Sequence, residues 1–415
     1  GKNITYRLLR WSEKYTKTDM VYLARGNFWM LVGRGVAIGS GMLLTVAFAN
    51  WLTPTAFGTY KYVLAIAGFV GALSLGGLSG ALGRAIAQGR LHMVRGVARI
   101  NLLWSLPAGI LSLIGAIYYF WNGNMTLGTG LLAIALTTPY MNSFAFAKNV
   151  LAGRADFRGL AIYGIPRTLF PIFALIAVLY FTESILIVIL TYFLSNFIAA
   201  WALYEFTLKK YKIRDEQEHV AETVSYGKHL SVMGTFSQMV GNLDQLLLWH
   251  FASPVALATY TFALAPVREL RNFSETLLPI IFPKYAVKTV EEMKQSAPLR
   301  VKQLFIASLP AAIIYVVLAP LLFKFIFPQY VSAILASQLL AITLLLQPRN
   351  IVEMMLFAQG NYRLRYVTTF LTLGAKVILW ITLIPLYGLM GAVIGTLVTD
   401  LVSALALYWA YKKLV

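Results

Sequence analysis

The sequence predicts an all-α polytopic membrane protein whose twelve transmembrane helices form two six-helix lobes of parallel orientation around a central cationic cavity. The 415 residues are 59% hydrophobic and only 12% charged, which is about half the charged share of an average soluble domain. Apolar runs of roughly 20 residues recur along the whole chain, and each is long enough to cross a bilayer as a helix. The second half of the chain also repeats parts of the first half.

Twelve spans are predicted from the apolar runs, at 27–50, 60–83, 99–120, 127–147, 159–181, 184–206, 228–250, 256–281, 303–327, 331–358, 364–386 and 389–410. Lys and Arg occur in the N-terminal segment, in the tail and in every second connection, whereas the other six connections contain neither. This alternation indicates that both termini lie in the cytoplasm. We expect the protein to be located in the inner (cytoplasmic) membrane.

The predicted organisation has five parts. They are a cytoplasmic amphipathic segment (1–26), an N-lobe (27–206), a cytoplasmic linker (207–227), a C-lobe (228–410) and a cytoplasmic tail (411–415). Within the first part, residues 4–24 mix Leu, Trp and Tyr with cations, as in a helix lying on the inner leaflet. An ordinary polar lead-in remains the alternative.

An internal repeat relates the two halves. TPTAFGTY at 53–60 returns as SPVALATY at 253–260, and SLPAGIL at 105–111 returns as SLPAAII at 308–314. Because six is an even number, both halves enter the membrane in the same orientation, as in carriers that rock around a central site. Duplication without transport is the alternative. We expect the proline motif to form a tight outer turn, with Tyr60 and Tyr260 at the membrane interface.

Several classes of site are disfavoured. The chain has no cysteine, which excludes disulfides and thiolate metal sites, and its four histidines have no zinc-binding spacing. The net charge of +19 comes largely from the connections, so orientation in the membrane explains it better than nucleic-acid binding. We expect no cofactor, although transport could be coupled to a proton or another ion.

Cations inside predicted spans are the candidate binding residues, because a charge at the bilayer centre costs on the order of 2.5–3.5 kcal/mol. Arginine suits phosphate or pyrophosphate, since its guanidinium offers a planar fork of donors. The alternative is that these arginines pair with acids and only lock helices together. The candidates are Arg34, Arg167, Arg268, Arg271 and Arg349.

Ionisable residues near the membrane centre are candidates for ion coupling: Lys376, Asp400, Asp244 and Glu353. Lys376 and Asp400 lie on consecutive predicted spans, where they could form a static pair or exchange a proton during transport. A sodium site would use acids and carbonyls without a neighbouring lysine, so Lys376 counts against one nearby.

Three stretches resemble one family. NFWMLVGRGVAIGSGMLLTVAFANWLTPTAFGTYKYVLAIAGFVGALSLGGLSGALGRAIAQG (27–89) is similar to the opening of the Wzx-type lipid-linked oligosaccharide flippases. GNLDQLLLWHFASPVALATYTFALAPVREL (241–270) resembles their middle region, and IPLYGLMGAVIGT (384–396) resembles their closing turn. These flippases belong to the multidrug/oligosaccharidyl-lipid/polysaccharide exporter (MOP) superfamily.

The resemblance implies a flippase that turns a polyprenyl-pyrophosphate-linked oligosaccharide from the inner to the outer leaflet, for O-antigen or exopolysaccharide assembly. It implies head-group contact by Arg34 and the arginines at 268 and 271, and a polysaccharide polymerase as a candidate partner. Lys376 departs from the acidic cation site that some relatives carry. A lipid II flippase and a multidrug extruder are the alternatives, and a membrane glycosyltransferase or polymerase is disfavoured because the predicted outer loops are short.

Overall fold

The computed structural model describes residues 20–213, 220–276, 290–358 and 362–414, and within these ranges the chain forms helices and short connections without a strand. Most of the predicted surface segment 4–24 lies outside the described residues. From Met20 onward the chain is helical and continues directly into the first predicted span.

The helices of the first half follow the predicted spans closely, with two breaks. They are α1 Met20–Trp51, α2 Pro54–Gly71, α3 Leu78–Ala87, a 3₁₀ turn Leu91–Met93, α4 Val94–Trp121, α5 Met125–Phe144, α6 Phe146–Gly153, α7 Phe157–Phe181 and α8 Ile185–Lys210.

The second half is more interrupted. It contains α9 Val220–Gly241, α10 Leu243–Phe251, α11 Pro254–Thr276, α12 Val290–Ile326, 3₁₀ turns Pro328–Ala333 and Ala341–Leu346 flanking α13 Ile334–Leu340, then α14 Arg349–Ala358 and α15 Tyr362–Leu414. Gly388 interrupts α15 with φ 54° and ψ −125°, a conformation that glycine adopts readily. The bend coincides with the predicted loop at 387–388.

Four predicted single spans are wrong in detail, because each is divided. The span 127–147 is interrupted at Ala145, between α5 and α6. The span 60–83 is broken between α2 and α3, where the sequence SLGG holds two helix-weakening glycines. The span 228–250 is broken at Asn242, after Gly241 ends α9. The span 331–358 is divided into short α and 3₁₀ pieces, with Pro348 directly before α14.

The repeated proline motif forms the expected tight turn, since only two residues separate Trp51 from Pro54 and Phe251 from Pro254, and each proline starts a helix. Pro54 and Pro254 are the first residues of α2 and α11, a position where the missing N–H of proline costs nothing. The preceding hydroxyl residues cap these helices, with Ala56 N donating to Thr53 Oγ1 (3.3 Å) and Ala256 N donating to Ser253 Oγ (3.0 Å).

The tyrosines of the motif are packed inside the protein. Tyr60 is 4% exposed and Tyr260 is 2% exposed, and their position at the depth of the membrane interface stays a prediction.

The chain divides into two compact units. The first unit contains the described residues up to Phe48 together with Ala67–Met239, and the second contains Ala49–Ile66 together with the described residues from Val240 onward. The predicted lobe boundaries at 206 and 228 stay a prediction.

In the first unit, α4 packs against α5. Both α5 and α7 pack against α8. Its apolar core brings α3, α4, α6 and α8 together around Leu78, Met93, Val97 and Val150, none of which is exposed. Val220 and Val224 of α9 join the same core. The start of α9 is therefore fixed to the first unit by apolar burial.

The first unit also contains a polar contact at the start of α7. Asp156 caps this helix by accepting from Gly159 N (2.8 Å), and its other carboxylate oxygen accepts from Lys210 Nζ (2.7 Å) and Tyr211 Oη. Partial burial raises the pKa of Asp156, but these donors outweigh burial and lower its pKa to about 2. The carboxylate therefore stays ionised at neutral pH and ties α7 to the end of α8.

The second unit brings the two copies of the repeated motif together. A Cβ atom on Gly58 would overlap the carbonyl oxygen of Pro254, so the backbones of α2 and α11 touch at these residues. Beside this contact, the rings of Phe57 and Phe262 lie 4.8 Å apart. The echo in the sequence therefore marks two helix starts that pack against each other.

Eight helical stretches among the described residues are long and apolar enough to cross a membrane. One of them, Arg363–Lys413, contains the last two predicted spans. The predicted spans at 60–83, 228–250 and 256–281 are not among the eight. Multiple membrane-spanning helices are therefore supported, and the count of twelve stays a prediction.

We expect Gly58→Ala to lower stability by about 1–3 kcal/mol, because overpacking at this backbone contact outweighs the gain of roughly 0.5–1 kcal/mol from replacing a helical glycine. Gly374→Ala, where nothing lies within 4 Å of the added Cβ, is the matched control and should be neutral or stabilising. Thermal unfolding in detergent measures both. Equal midpoints for native protein and Gly58→Ala would contradict the close approach of α2 and α11.

Candidate functional site

The second unit gathers a cluster of charged side chains, here called the charged cluster, from helices far apart in the sequence. α2 contributes one cation, α10 one acid, α11 and α14 arginines, and α15 a lysine and an acid. Its members are Lys61, Asp244, Arg268, Arg271, Arg349, Lys376 and Asp400. Six of these seven residues are sequence-predicted candidates, and Lys61 is the exception.

Asp400 joins α11, α14 and α15 through two arginines. Its Oδ1 lies 2.7 Å from Arg349 Nη2, and its Oδ2 lies 3.3 Å from Arg271 Nη1. Arg349 also donates to the backbone carbonyl of Asp400. The aspartate is only 8% exposed, so both ion pairs are shielded from solvent. These pairs of Asp400 with Arg271 and Arg349, here called the helix lock, match the alternative in which intramembrane arginines pair with acids and hold helices together.

Asp244 is the second carboxylate of the charged cluster. It is 6% exposed at the start of α10 and accepts a hydrogen bond from Gln245 N (2.8 Å). The hydroxyl of Tyr260 also bonds to this carboxylate and lies 3.1 Å from Thr396 Oγ1. A buried polar group of this kind is stable only when its bonding capacity is met, and here α10, α11 and α15 meet it together.

Lys376 interacts electrostatically with both acids. Its Nζ is 4.3 Å from the centre of the Trp380 ring, one helical turn further along α15, a cation–π geometry. Its favourable electrostatic interaction is greater with Asp244 than with Asp400. The Lys376–Asp400 interaction expected from the sequence is present, but Asp400 also binds two arginines and Lys376 interacts more strongly with Asp244.

Lys61 is the cluster member that the sequence analysis missed. It is half-buried on α2 and interacts with Asp244 and with Arg268. The sequence does mark this residue, because Lys61 directly follows the repeated motif. Its position at the edge of a predicted span, however, is typical of a cation at the membrane interface. Arg268, in contrast, is exposed on α11, so its guanidinium is available to a ligand.

The charge of the cluster does not balance. Five cations, three of them arginines, surround two carboxylates. One carboxylate, Asp400, is already bound by two guanidiniums. The remaining cations, Lys61, Arg268 and Lys376, share Asp244. Such an arrangement attracts an anion, because three cations share a single carboxylate and keep a net positive charge.

Three other sequence-predicted residues lie outside the cluster. Arg34 is exposed on α1 and Arg167 is half-buried on α7, both in the first unit. Arg167 interacts with Tyr192 of α8 and with Lys148 of α6. Glu353 is exposed on α14, one turn from Arg349.

Similar solved structures define the class of fold. Lipid II flippase MurJ in an inward closed conformation superimposes with a TM-score of 0.63 at 11% identity, covering 93% of this chain and 87% of that one. A MOP superfamily transporter from Pyrococcus furiosus, described as having a binding pocket of reversed polarity, gives a TM-score of 0.60 at 16% identity over 95% of both chains. A multidrug resistance MATE family transporter in an inward-facing conformation gives 0.59 at 14% identity, over 92% and 98%.

The fold is therefore the one that these solved structures share. The sequence profile of the polysaccharide biosynthesis protein family matches residues 47–335, and the chain belongs to that family. The resemblance to Wzx-type flippases is confirmed at this level. An uncharacterized membrane protein of Methanocaldococcus jannaschii is 24% identical over 427 residues, covering 94% of this chain and 84% of its own length.

We expect Asp400→Asn to destabilise the protein by roughly 3–5 kcal/mol, because it leaves two shielded guanidiniums without their anion. Glu353→Gln, which removes an exposed carboxylate from the adjoining helix α14, should change stability by less than about 0.5 kcal/mol. Chemical or thermal unfolding in detergent measures the difference. An Asp400→Asn variant as stable as Glu353→Gln would contradict the helix lock.

Proposed function

We propose that this protein is a flippase that moves a polyprenyl-pyrophosphate-linked oligosaccharide from the inner to the outer leaflet of the cytoplasmic membrane by alternating access, for O-antigen or exopolysaccharide assembly. The observation that carries the proposal is the excess of positive charge in the charged cluster. Membership of the polysaccharide biosynthesis protein family supports the glycan part of the substrate.

The negative charge of such a head group is complementary to the cations of the cluster that Asp400 does not bind. A pyrophosphate has two adjacent phosphates, and Lys61 and Arg268 are two neighbouring cations that share one carboxylate. The exposed guanidinium of Arg268 can take one phosphate in a forked contact, and the ammonium of Lys61 can take the other as a point charge. We assign Lys61 and Arg268 to head-group docking, and Arg34 and Arg167 stay candidates in the first unit.

A multidrug extruder for organic cations fits the cluster less well. Such a substrate needs an acid that is free to accept it, whereas both Asp244 and Asp400 already interact with cations of the protein. An additional positive charge here would meet net repulsion. An enzyme is also disfavoured, because the similar solved structures are transporters or flippases.

A lipid II flippase is the second candidate, and the structural similarity to MurJ favours it. Lipid II and a lipid-linked oligosaccharide have the same polyprenyl-pyrophosphate portion and differ in the sugar. The charged cluster recognises the shared portion, so a cellular test has to separate the two. Association with a polysaccharide polymerase stays a prediction.

We expect the native gene to restore glycan export in a strain that lacks its own oligosaccharide flippase. Arg268→Ala and Lys61→Ala should each reduce export at least tenfold, corresponding to about 1.4 kcal/mol or more per lost charge-assisted contact. Lys324→Ala removes an exposed cation from α12 of the same unit and should export normally at equal membrane abundance. Surface glycan, quantified against membrane-inserted protein, is the measurement.

Two results would overturn the proposal. One is rescue of a strain depleted of its lipid II flippase without rescue of glycan export, which would move the assignment to lipid II. The other is full export by the double variant Lys61→Ala/Arg268→Ala, which would remove the head-group contact from the cluster.

A further inference from the structure

A second group of cations lies in the first unit, where the turn between α6 and α7 meets the end of α8. The turn consists of residues 154–156. Two backbone hydrogen bonds of 2.9 Å fix it, one from Ala155 N to Ala152 O and one from Asp156 N to Leu151 O. Ala155 has φ 53°, a left-handed conformation that residues other than glycine rarely adopt. The backbone of this turn is therefore held in one defined shape.

Side-chain contacts join the end of α8 to this turn. Lys210 Nζ lies 2.7 Å from Asp156 Oδ2, and the hydroxyl of Tyr211 donates to the same oxygen. The guanidinium carbon of Arg154 lies 4.9 Å from the centre of the Tyr211 ring, and Lys210 Nζ lies 4.7 Å from the centre of the Tyr163 ring, both in cation–π geometry. These contacts bring the cations of the turn and of α8 to the same place.

Positive charge is in excess at this place. Segments 154–158 and 205–212 together contain five cations and two carboxylates. One carboxylate, Asp156, is already bound by Lys210, by Tyr211 and by a backbone N–H of α7. Four of the five cations are exposed and form no ion pair with any residue that the structure describes: Arg154, Arg158, Lys209 and Lys212.

Exposed apolar side chains adjoin these cations. Arg158 shares one face of α7 with Ile162, which is 39% exposed. Lys209 shares one side of α8 with Phe206 and Ile198, which are 42% and 46% exposed. Both helices are long and apolar enough to cross a membrane. Each cation is therefore followed along its helix by a surface that lipid tails can cover.

The combination of cations and apolar surface determines the kind of ligand. A nucleic acid or a soluble acidic peptide would satisfy the cations but not the apolar side chains beside them. A phospholipid carries its phosphate directly next to its acyl chains, so it is complementary to both. An arginine offers the phosphate a planar fork of donors, and an anionic head group is favoured because a zwitterionic one brings its own cation.

We propose that Arg154, Arg158 and Lys209 form a binding site for an anionic phospholipid of the bilayer. The phosphate binds to these three cations, and the acyl chains lie along the exposed apolar faces of α7 and α8. Asp156 is a positioning residue, since it holds Lys210 and the end of α8 against the turn. The site belongs to the first unit and requires neither the charged cluster nor the proposed substrate.

Native mass spectrometry of the purified full chain in detergent tests the site, with phosphatidylglycerol as the probe and phosphatidylethanolamine as the zwitterionic reference. The native protein should bind phosphatidylglycerol about tenfold or more tightly than Arg154→Ala/Arg158→Ala, and both should bind phosphatidylethanolamine equally. Arg300→Ala/Lys302→Ala is the matched control, because it removes two exposed cations from α12 of the second unit. It should bind phosphatidylglycerol as the native protein does.

Equal losses of phosphatidylglycerol affinity in the two double variants would show that total charge alone attracts the lipid, and would overturn the site. Displacement of the lipid by an equal concentration of glycerol phosphate would also overturn it, because the site would then take a phosphate and not a lipid.

A photoactivatable phosphatidylglycerol bound to the native protein decides the question if Arg154→Ala/Arg158→Ala fails to fold. Labels on 157–173 and 198–210 are expected, and labels confined to other helices would overturn the proposal. Failure in any of these tests leaves the proposed function standing, since the charged cluster lies in the second unit.

Discussion

The shortage of carboxylates in the charged cluster, as the described residues form it, is the constraint on which the proposed chemistry depends. Five cations converge from α2, α11, α14 and α15 around two aspartates. Asp400 binds Arg271 and Arg349 and thereby joins three helices. The remaining cations keep a net positive charge, and a soluble or lipid-linked anion is the partner that can balance it.

The internal repeat explains how these cations come together. Its two copies start α2 and α11 with a hydroxyl cap and a proline, and the close approach at Gly58 brings these two helix starts into contact. Lys61 and Arg268 lie further along these two helices, past the contact. The duplicated helix start therefore positions both helices of the proposed head-group site. Lys61 comes from the first half of the sequence and Arg268 from the second half.

The sequence predicted the membrane class, most helices and six of the seven cluster residues, because apolar length and buried charge are local signals. It did not predict which charges pair, since Arg349 and Asp400 are brought together only by the packing of α14 on α15. Glycines and prolines decided the breaks at Gly241 and Pro348, where a smooth hydropathy pattern suggested single spans. Lys61 was overlooked because its position near a predicted helix end offered a simpler explanation than burial beside Asp244.

The central claim is that a pyrophosphate head group binds to the excess cations of the second unit. The most direct measurement is an experimental structure of the purified protein with an isoprenyl pyrophosphate in lipid nanodiscs. The account predicts density for the two phosphates within hydrogen-bonding distance of Arg268 and Lys61, with the Asp400 ion pairs retained. Pyrophosphate density at another place, with Arg268 and Lys61 not in contact with it, would contradict the account.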